Sequence, residues 1–236
     1  MCGRYTLKTH PDQWGQLLLP MVESASRPGA ALAEWSPRYN IAPTQNVLAI
    51  SGEPDTESST GGLLLDYFRW GLVPSWAKEL SIGNRMINAR SETVHEKRSF
   101  KGPLEKRRCL VLADGYYEWQ KLADGSKQPC WISAAEGTVM ALAGLWESNR
   151  QASDAVVRSC TILTTAANQQ LQEIHDRMPI VMDGPAVERW MSAECSAEEA
   201  KTLLGQAEDG YFEVTKVSTL VNNPRNETAE CLEPID

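Results

Sequence analysis

Apolar residues recur along this chain in short runs separated by polar, turn-forming clusters. Alternating or continuous apolar runs at 2–7, 46–50, 63–69, 109–113, 116–121, 129–133, 138–143, 157–165 and 211–217 predict β-strands. Asp124-Gly125 falls between two of these runs and predicts a hairpin turn. Helical spacing is confined to a few places. One helix opens at Thr9-His10-Pro11-Asp12, with Thr9 as its cap and Trp14, Leu17 and Leu18 along the run; others fit 168–175, 185–192 and 196–206. Segments 38–43 and 70–76 read as loops, and the polar, turn-rich stretch 51–62 reads as a mobile surface loop. Many short strands with scattered helices predict one α+β domain over residues 1–236, with a curved, barrel-like antiparallel β core and peripheral helices.

Composition narrows the function classes. No run approaches the ~20 apolar residues of a membrane span, and the N-terminus lacks a basic-then-apolar leader, so a cytoplasmic location is expected. Six widely spaced cysteines, none in a C-x-x-C pair, predict neither a zinc site nor a disulfide framework. No cofactor and no metal are expected. The formal net charge of -8 argues against a protein that coats duplex DNA by bulk attraction. Its distribution changes that picture. Residues 85–108 carry a local +5, whereas 183–236, ending in an acidic tail, account for -8. A local phosphate-binding surface on an acidic protein fits this asymmetry, and so does a merely solvated basic face.

The candidate chemistry begins at Cys2. Once Met1 is removed, Cys2 presents a thiol and a free α-amine on adjacent carbons, and an α-amine titrates near pH ~8. Such a 1,2-aminothiol condenses with aldehydes: the amine forms an imine, and the thiol closes on it to give a thiazolidine. Asn88 lies in the basic segment within Asn88-Ala89-Arg90-Ser91-Glu92. Glu118 sits among aromatics in Tyr116-Tyr117-Glu118-Trp119, where alternation puts it on one strand face with Tyr116 and Gln120. That makes it either an acid/base with a raised pKa or an exposed strand residue. His175, in Ile174-His175-Asp176-Arg177-Met178-Pro179, reads as a proton shuttle or as a structural residue. Trp70 and Trp76, with Pro43 and Pro74 nearby, make a platform for stacking bases or belong to the core. Phosphate loops, H-E-x-x-H and G-x-S-x-G are absent.

Taken together and in order, these segments resemble the SOS-response-associated peptidase (SRAP) family. The matching stretches are CGRYT at 2–6, RYNIAPTQ at 38–45, RWGLVPSWA at 69–77, NARSET at 88–93, CLVLADGYYEW at 109–119, GLWE at 144–147, TILTTAAN at 161–168 and IHDRMPIV at 174–181. The resemblance implies a DNA-damage response protein that captures abasic sites in single-stranded DNA through a thiazolidine on Cys2. It also implies abasic-site lyase activity and peptidase-type processing of the N-terminus. By resemblance Asn88 holds the sugar, Glu118 assists imine chemistry, and His175 handles protons for ring opening. Arg4 and Arg90 would meet phosphates, and Pro43, Trp70 and Trp76 would shape the DNA surface. A monomer, nucleoid-associated when bound to DNA, is expected. Two other classes compete: a non-covalent reader of modified or single-stranded DNA, and an N-terminal-nucleophile amidohydrolase.

Overall fold

A computed structural model describes residues 2–25, 28–52 and 62–235. In chain order the strands and α-helices are β1 (Tyr5–Leu7), α1 (Gly15–Ser24), α2 (Pro28–Ala33), β2 (Arg38–Ile41), β3 (Asn46–Gly52), β4 (Leu63–Trp70), β5 (Asn88–Arg90), α3 (Arg98–Lys106), β6 (Arg108–Ala113), β7 (Gly115–Lys121), β8 (Lys127–Ala134), β9 (Met140–Asn149), β10 (Val157–Ala166), β11 (Arg177–Pro179), β12 (Val181–Met182), α4 (Gly184–Met191), α5 (Ala197–Thr202) and β13 (Phe212–Lys216). The fold is α+β, as the strand-rich pattern predicts.

Five strands close a barrel in the order β10-β4-β3-β6-β9 and back to β10. Its joints are antiparallel except β10–β4, where Ser159 lies beside Arg69 and Cys160 beside Trp70 in parallel. Every residue of β6 is buried, which is why its sequence is a continuous apolar run rather than an alternating one. Fully buried Ile50, Phe68, Leu112, Leu142 and Ile162 belong to the same core, each worth about 1.5–3 kcal/mol of burial. A second sheet, β13-β8-β7-β1-β2, is antiparallel throughout, and β7–β8 is the hairpin expected around Asp124-Gly125. Between β4 and β5 the chain loops out and doubles back, bringing Gly71 onto Gly83. A Cβ on Gly71 would stand 2.6 Å from the Gly83 carbonyl oxygen, so only glycine permits this approach.

Several local expectations differ from the structure. Segment 38–43 contains a strand, because β1 offers Arg38 to Ile41 a free edge to pair with. His10, not Thr9, caps the first turn by accepting from the Asp12 N–H; the Thr9 carbonyl instead takes the Trp14 indole N–H at 2.8 Å. Residues 168–175 form turns rather than a helix, held by mixed backbone bonds to the Asn168 and Leu171 carbonyls. Of the expected loop at 51–62, Ser51 and Gly52 end β3, and 53–61 lie outside the described residues.

The C-terminal segment is acidic but not merely solvated. Val217, Val221 and Cys231 pack on Tyr117 as a small second core. Glu227 accepts from the Arg38 guanidinium and from the Tyr39 and Asn40 N–H groups.

Candidate active site

The chain start runs into β1, whose Tyr5 and Thr6 pair with Tyr116 and Gly115 of β7, so Cys2 is carried alongside the Glu118 stretch of that strand. On its other side stands β5. Parallel pairing of β5 with β10 places Asn88 beside Ile162, and the Asn88 side-chain amide donates to the Cys2 carbonyl at 2.7 Å. The 168–176 turn supplies His175, and Gln120 of β7 ties that turn down by donating to the Glu173 carbonyl at 3.3 Å. Three distant segments and the N-terminus thus converge on Cys2.

Cys2 is 1% exposed, and its thiol lies 3.8 Å from the Arg4 carbonyl oxygen. Burial, reinforced by the Glu118 carboxylate, pushes the thiol well above its ordinary range, so it is a neutral S–H at physiological pH and reacts only when a base removes its proton. Glu118 meets that need. It is 3% exposed, and desolvation raises its pKa to about 7. A carboxyl poised there both donates and accepts protons near neutrality.

The His175 Nε2 stands 4.0 Å from a Glu118 oxygen. Nδ1 faces two claims: the Arg177 N–H donates to it at 3.0 Å, and Asp176 Oδ1 lies 2.8 Å away. The backbone donor is fixed, whereas the Asp176 side chain is largely exposed and able to turn away. Burial also lowers the His175 pKa. The neutral imidazole with Nδ1 as acceptor and the proton on Nε2, facing Glu118, is the consistent tautomer.

Around this pair lie polar atoms that the fold leaves unmatched. Among the described residues the Tyr5 and Tyr116 hydroxyls and Asn88 Oδ1 are buried without hydrogen-bond partners, each at a cost of about 1–3 kcal/mol. Burial pushes both tyrosines well above the ordinary phenol range, so both remain donors. Sequence reasoning missed them, although alternation from Glu118 to Tyr116 carried the signal.

The expected DNA-contacting residues divide. Trp76 is 41% exposed with the Arg98 guanidinium 5.1 Å over its ring, and Arg90 is exposed at the end of β5. Pro43 is half-buried, followed by Thr44 at φ 75, an unusual conformation for a β-branched residue. That turn is held by the Thr44 N–H donating to the Trp70 carbonyl and by Arg69 donating to the Thr44 carbonyl, both at 2.8 Å.

Trp70 and Arg4 are drawn further into the fold. Trp70 is fully buried, edge-on to Tyr5, with its indole N–H on the Ile87 carbonyl at 2.9 Å, so its ring presents no surface to solvent. Its alternation with Phe68 along β4 was the overlooked sign. The half-buried Arg4 donates to Asn40 Oδ1 at 2.8 Å and to the Val221 carbonyl at 2.9 Å, and so clamps the C-terminal segment. The basic run at 85–108 is also partly structural: Arg108 donates to the Leu104, Glu105, Trp190 and Ser192 carbonyls, and Arg107 pairs with Glu147.

Among the described residues no group of three or more His, Cys, Asp or Glu side chains is placed to hold a metal. No helix there is long and apolar enough to cross a membrane.

Comparison with known proteins adds an independent line. The chain is 38% identical over 235 residues to the abasic site processing protein YoaM of Bacillus subtilis, covering 99% of this chain and 98% of that protein. It is 33% identical to the abasic site processing protein HMCES of Pongo abelii, covering 100% of this chain and 77% of the relative. A crystal structure of a Bacteroides thetaiotaomicron protein superposes with a TM-score of 0.81 at 20% identity, covering 99% of this chain and 100% of that one, and shares the fold. The family model described as SOS response associated peptidase (SRAP) matches residues 1–224, and with that span and these relatives the chain belongs to the SRAP family.

Proposed function

We propose that this protein processes abasic sites in DNA and does so by capturing them covalently on Cys2 in single-stranded DNA. The observation that carries this reading is the convergence of the Cys2 aminothiol with Asn88, Glu118 and His175 in one polar cluster, Cys2 and Glu118 buried and Asn88 and His175 half-buried. Relatives named for abasic-site processing supply the substrate class.

The chemistry follows from the groups present. Removal of Met1, by self-processing or by an aminopeptidase, frees the Cys2 amine. His175 and Glu118 move protons as the abasic sugar opens to its aldehyde. The amine adds to C1′, and Glu118 protonates the departing hydroxyl; one water leaves and an imine remains. Glu118 then takes the thiol proton while sulfur adds to the imine carbon and nitrogen is reprotonated, which closes the thiazolidine. Asn88, bonded to the Cys2 carbonyl, holds the nucleophile in place and turns its unmatched Oδ1 to the sugar hydroxyls. Lyase activity branches from the same imine: a base removes a C2′ proton, and the 3′ phosphate leaves with the C–O bonding pair. Arg90, Trp76 and Pro43 form the DNA face. The protein works as a cytoplasmic monomer that joins the nucleoid when bound.

A buried, protonated Cys2 also suits a non-covalent reader of DNA, so the deciding measurement is intact mass. Protein beginning at Cys2 is mixed with single-stranded DNA holding one abasic site, then denatured. An adduct one water lighter than the sum of its parts, mapped to Cys2 and lost in Cys2→Ala, is expected. No adduct would leave the non-covalent reading standing.

A further inference from the structure

The flank of the barrel carries a basic feature that the Cys2 chemistry does not use. Two cavities of about 540 and 660 Å³ both have Ser148 and Arg150 in their walls, so they run together as one groove. Along it stand Lys106, Arg107, Arg150, Arg158 and Arg69. Glu105, Glu147 and Asp66 share the walls, but cations outnumber them, so in a protein of net charge -8 the strip locally favours a polyanion.

Two of the five cations are ion-paired, and the other three are in no ion pair among the described residues. Arg107 leans on Glu147 at 2.9 Å and Arg158 on Asp66 at 2.6 Å. Arg69 donates to the Thr44 carbonyl and, at 3.3 Å, to Asn84 Oδ1. A guanidinium has five N–H donors, so one brace leaves others for a ligand. Lys106 and Arg150 are exposed and make no ion pair among the described residues. The groove also contains Tyr67 and Val156, the latter 51% exposed, which offer apolar surface to bases. At its Arg69 end it meets Thr44, the residue after Pro43, and is thereby continuous with the DNA face proposed above.

We propose that this groove binds the phosphodiester backbone of the single strand beyond the abasic site, so that DNA leaves Cys2 past Pro43 and runs along Arg69, Arg158 and Arg150 to Lys106. The proposal rests on the abasic-DNA reading and adds a second contact region to it.

The test uses the Lys106→Ala/Arg150→Ala variant, whose exposed side chains leave the core intact, with melting temperature as the control. Binding is measured for a short abasic oligonucleotide covering only the Cys2 site and for versions extended at the 5′ or the 3′ side. The wild-type protein is expected to gain affinity on extension at one side, and the variant to lose that gain. For the extended strand, the dependence of log affinity on log salt should shallow by about 1.4, from ~0.7 per single-strand phosphate contact. Crosslinking of the short strand should be unchanged.

Equal gains in both proteins, or an unaltered salt slope in Arg150→Glu, would overturn the groove while leaving abasic-site capture in place, and would point to a different occupant such as an acidic peptide. A wild-type protein that engages no abasic DNA of any length would overturn both readings together.

Discussion

The barrel and the Cys2 pocket share strand β10 yet obey different rules. In the barrel, strands are paired on both edges, and most buried polar groups are matched: Ser159 Oγ accepts from the Val73 N–H at 2.8 Å, and Arg108 gives its donors to four carbonyls. Unmatched atoms occur there too, at Arg69 Nε, Trp146 Nε1 and Thr161 Oγ1, but in the pocket they gather around one acid and one thiol. Tyr5, Tyr116 and Asn88 each keep a buried polar atom unmatched among the described residues, and Glu118 holds a carboxyl where water scarcely reaches. Unmatched polar groups gathered beside a buried acid and a thiol are suited to meet a ligand. The barrel supplies the stability that makes such a pocket tolerable.

That contrast is best broken from the barrel side. Phe68 is fully buried and meets Trp146 edge-on at 5.8 Å. Phe68→Ala should cost about 3–5 kcal/mol in denaturant unfolding, with the folded fraction still able to capture DNA. A loss under 1 kcal/mol would mean that the barrel is not the stabilising half.

Glu118→Gln probes the pocket and should act in the opposite direction. The Glu118 pKa rises from 4.5 in the unfolded chain to about 7 in the fold, so ionising the carboxyl destabilises the protein. The cost is absent below pH 4.5, grows between 4.5 and 7, and is complete above 7, at about 3 kcal/mol. The Gln variant should therefore gain stability at pH 8 and not at pH 4, while its crosslinking slows. Parallel stability curves across that range would show that Glu118 is not desolvated.

The smallest effect is expected at the surface. Arg90→Ala should leave stability unchanged and shallow the salt dependence of single-strand binding by about 0.7, one phosphate contact. An unchanged slope would remove Arg90 from the DNA face.

Much of this was legible beforehand, and the failures share a cause. Strands β3, β4 and β6 to β10 follow from apolar runs long enough to specify a buried sheet. β2 was hidden, because Arg38-Tyr39-Asn40 is polar and becomes a strand only where β1 and Glu227 satisfy its backbone and side chains. Trp70 and Trp76 look alike in one aromatic stretch, yet one is core and the other exposed. Arg4 looks like a free cation until the C-terminal segment, more than 200 residues away, folds onto it.

By itself the sequence determined the class of fold, the family and the chemical inventory: a second-position cysteine, a carboxylate among aromatics, and a histidine in the His175-Asp176-Arg177 stretch. These depend on residue type and near-neighbour pattern, which the chain carries locally. Tertiary structure alone decided which groups meet and what their protons do. The closed β10–β4 joint, the approach of Asn88 to Cys2, the raised pKa of Glu118 and the anchoring of Arg4 to the C-terminal segment all depend on contacts between distant segments. Burial and long-range pairing set those properties, and neither has a signature in any short stretch of sequence.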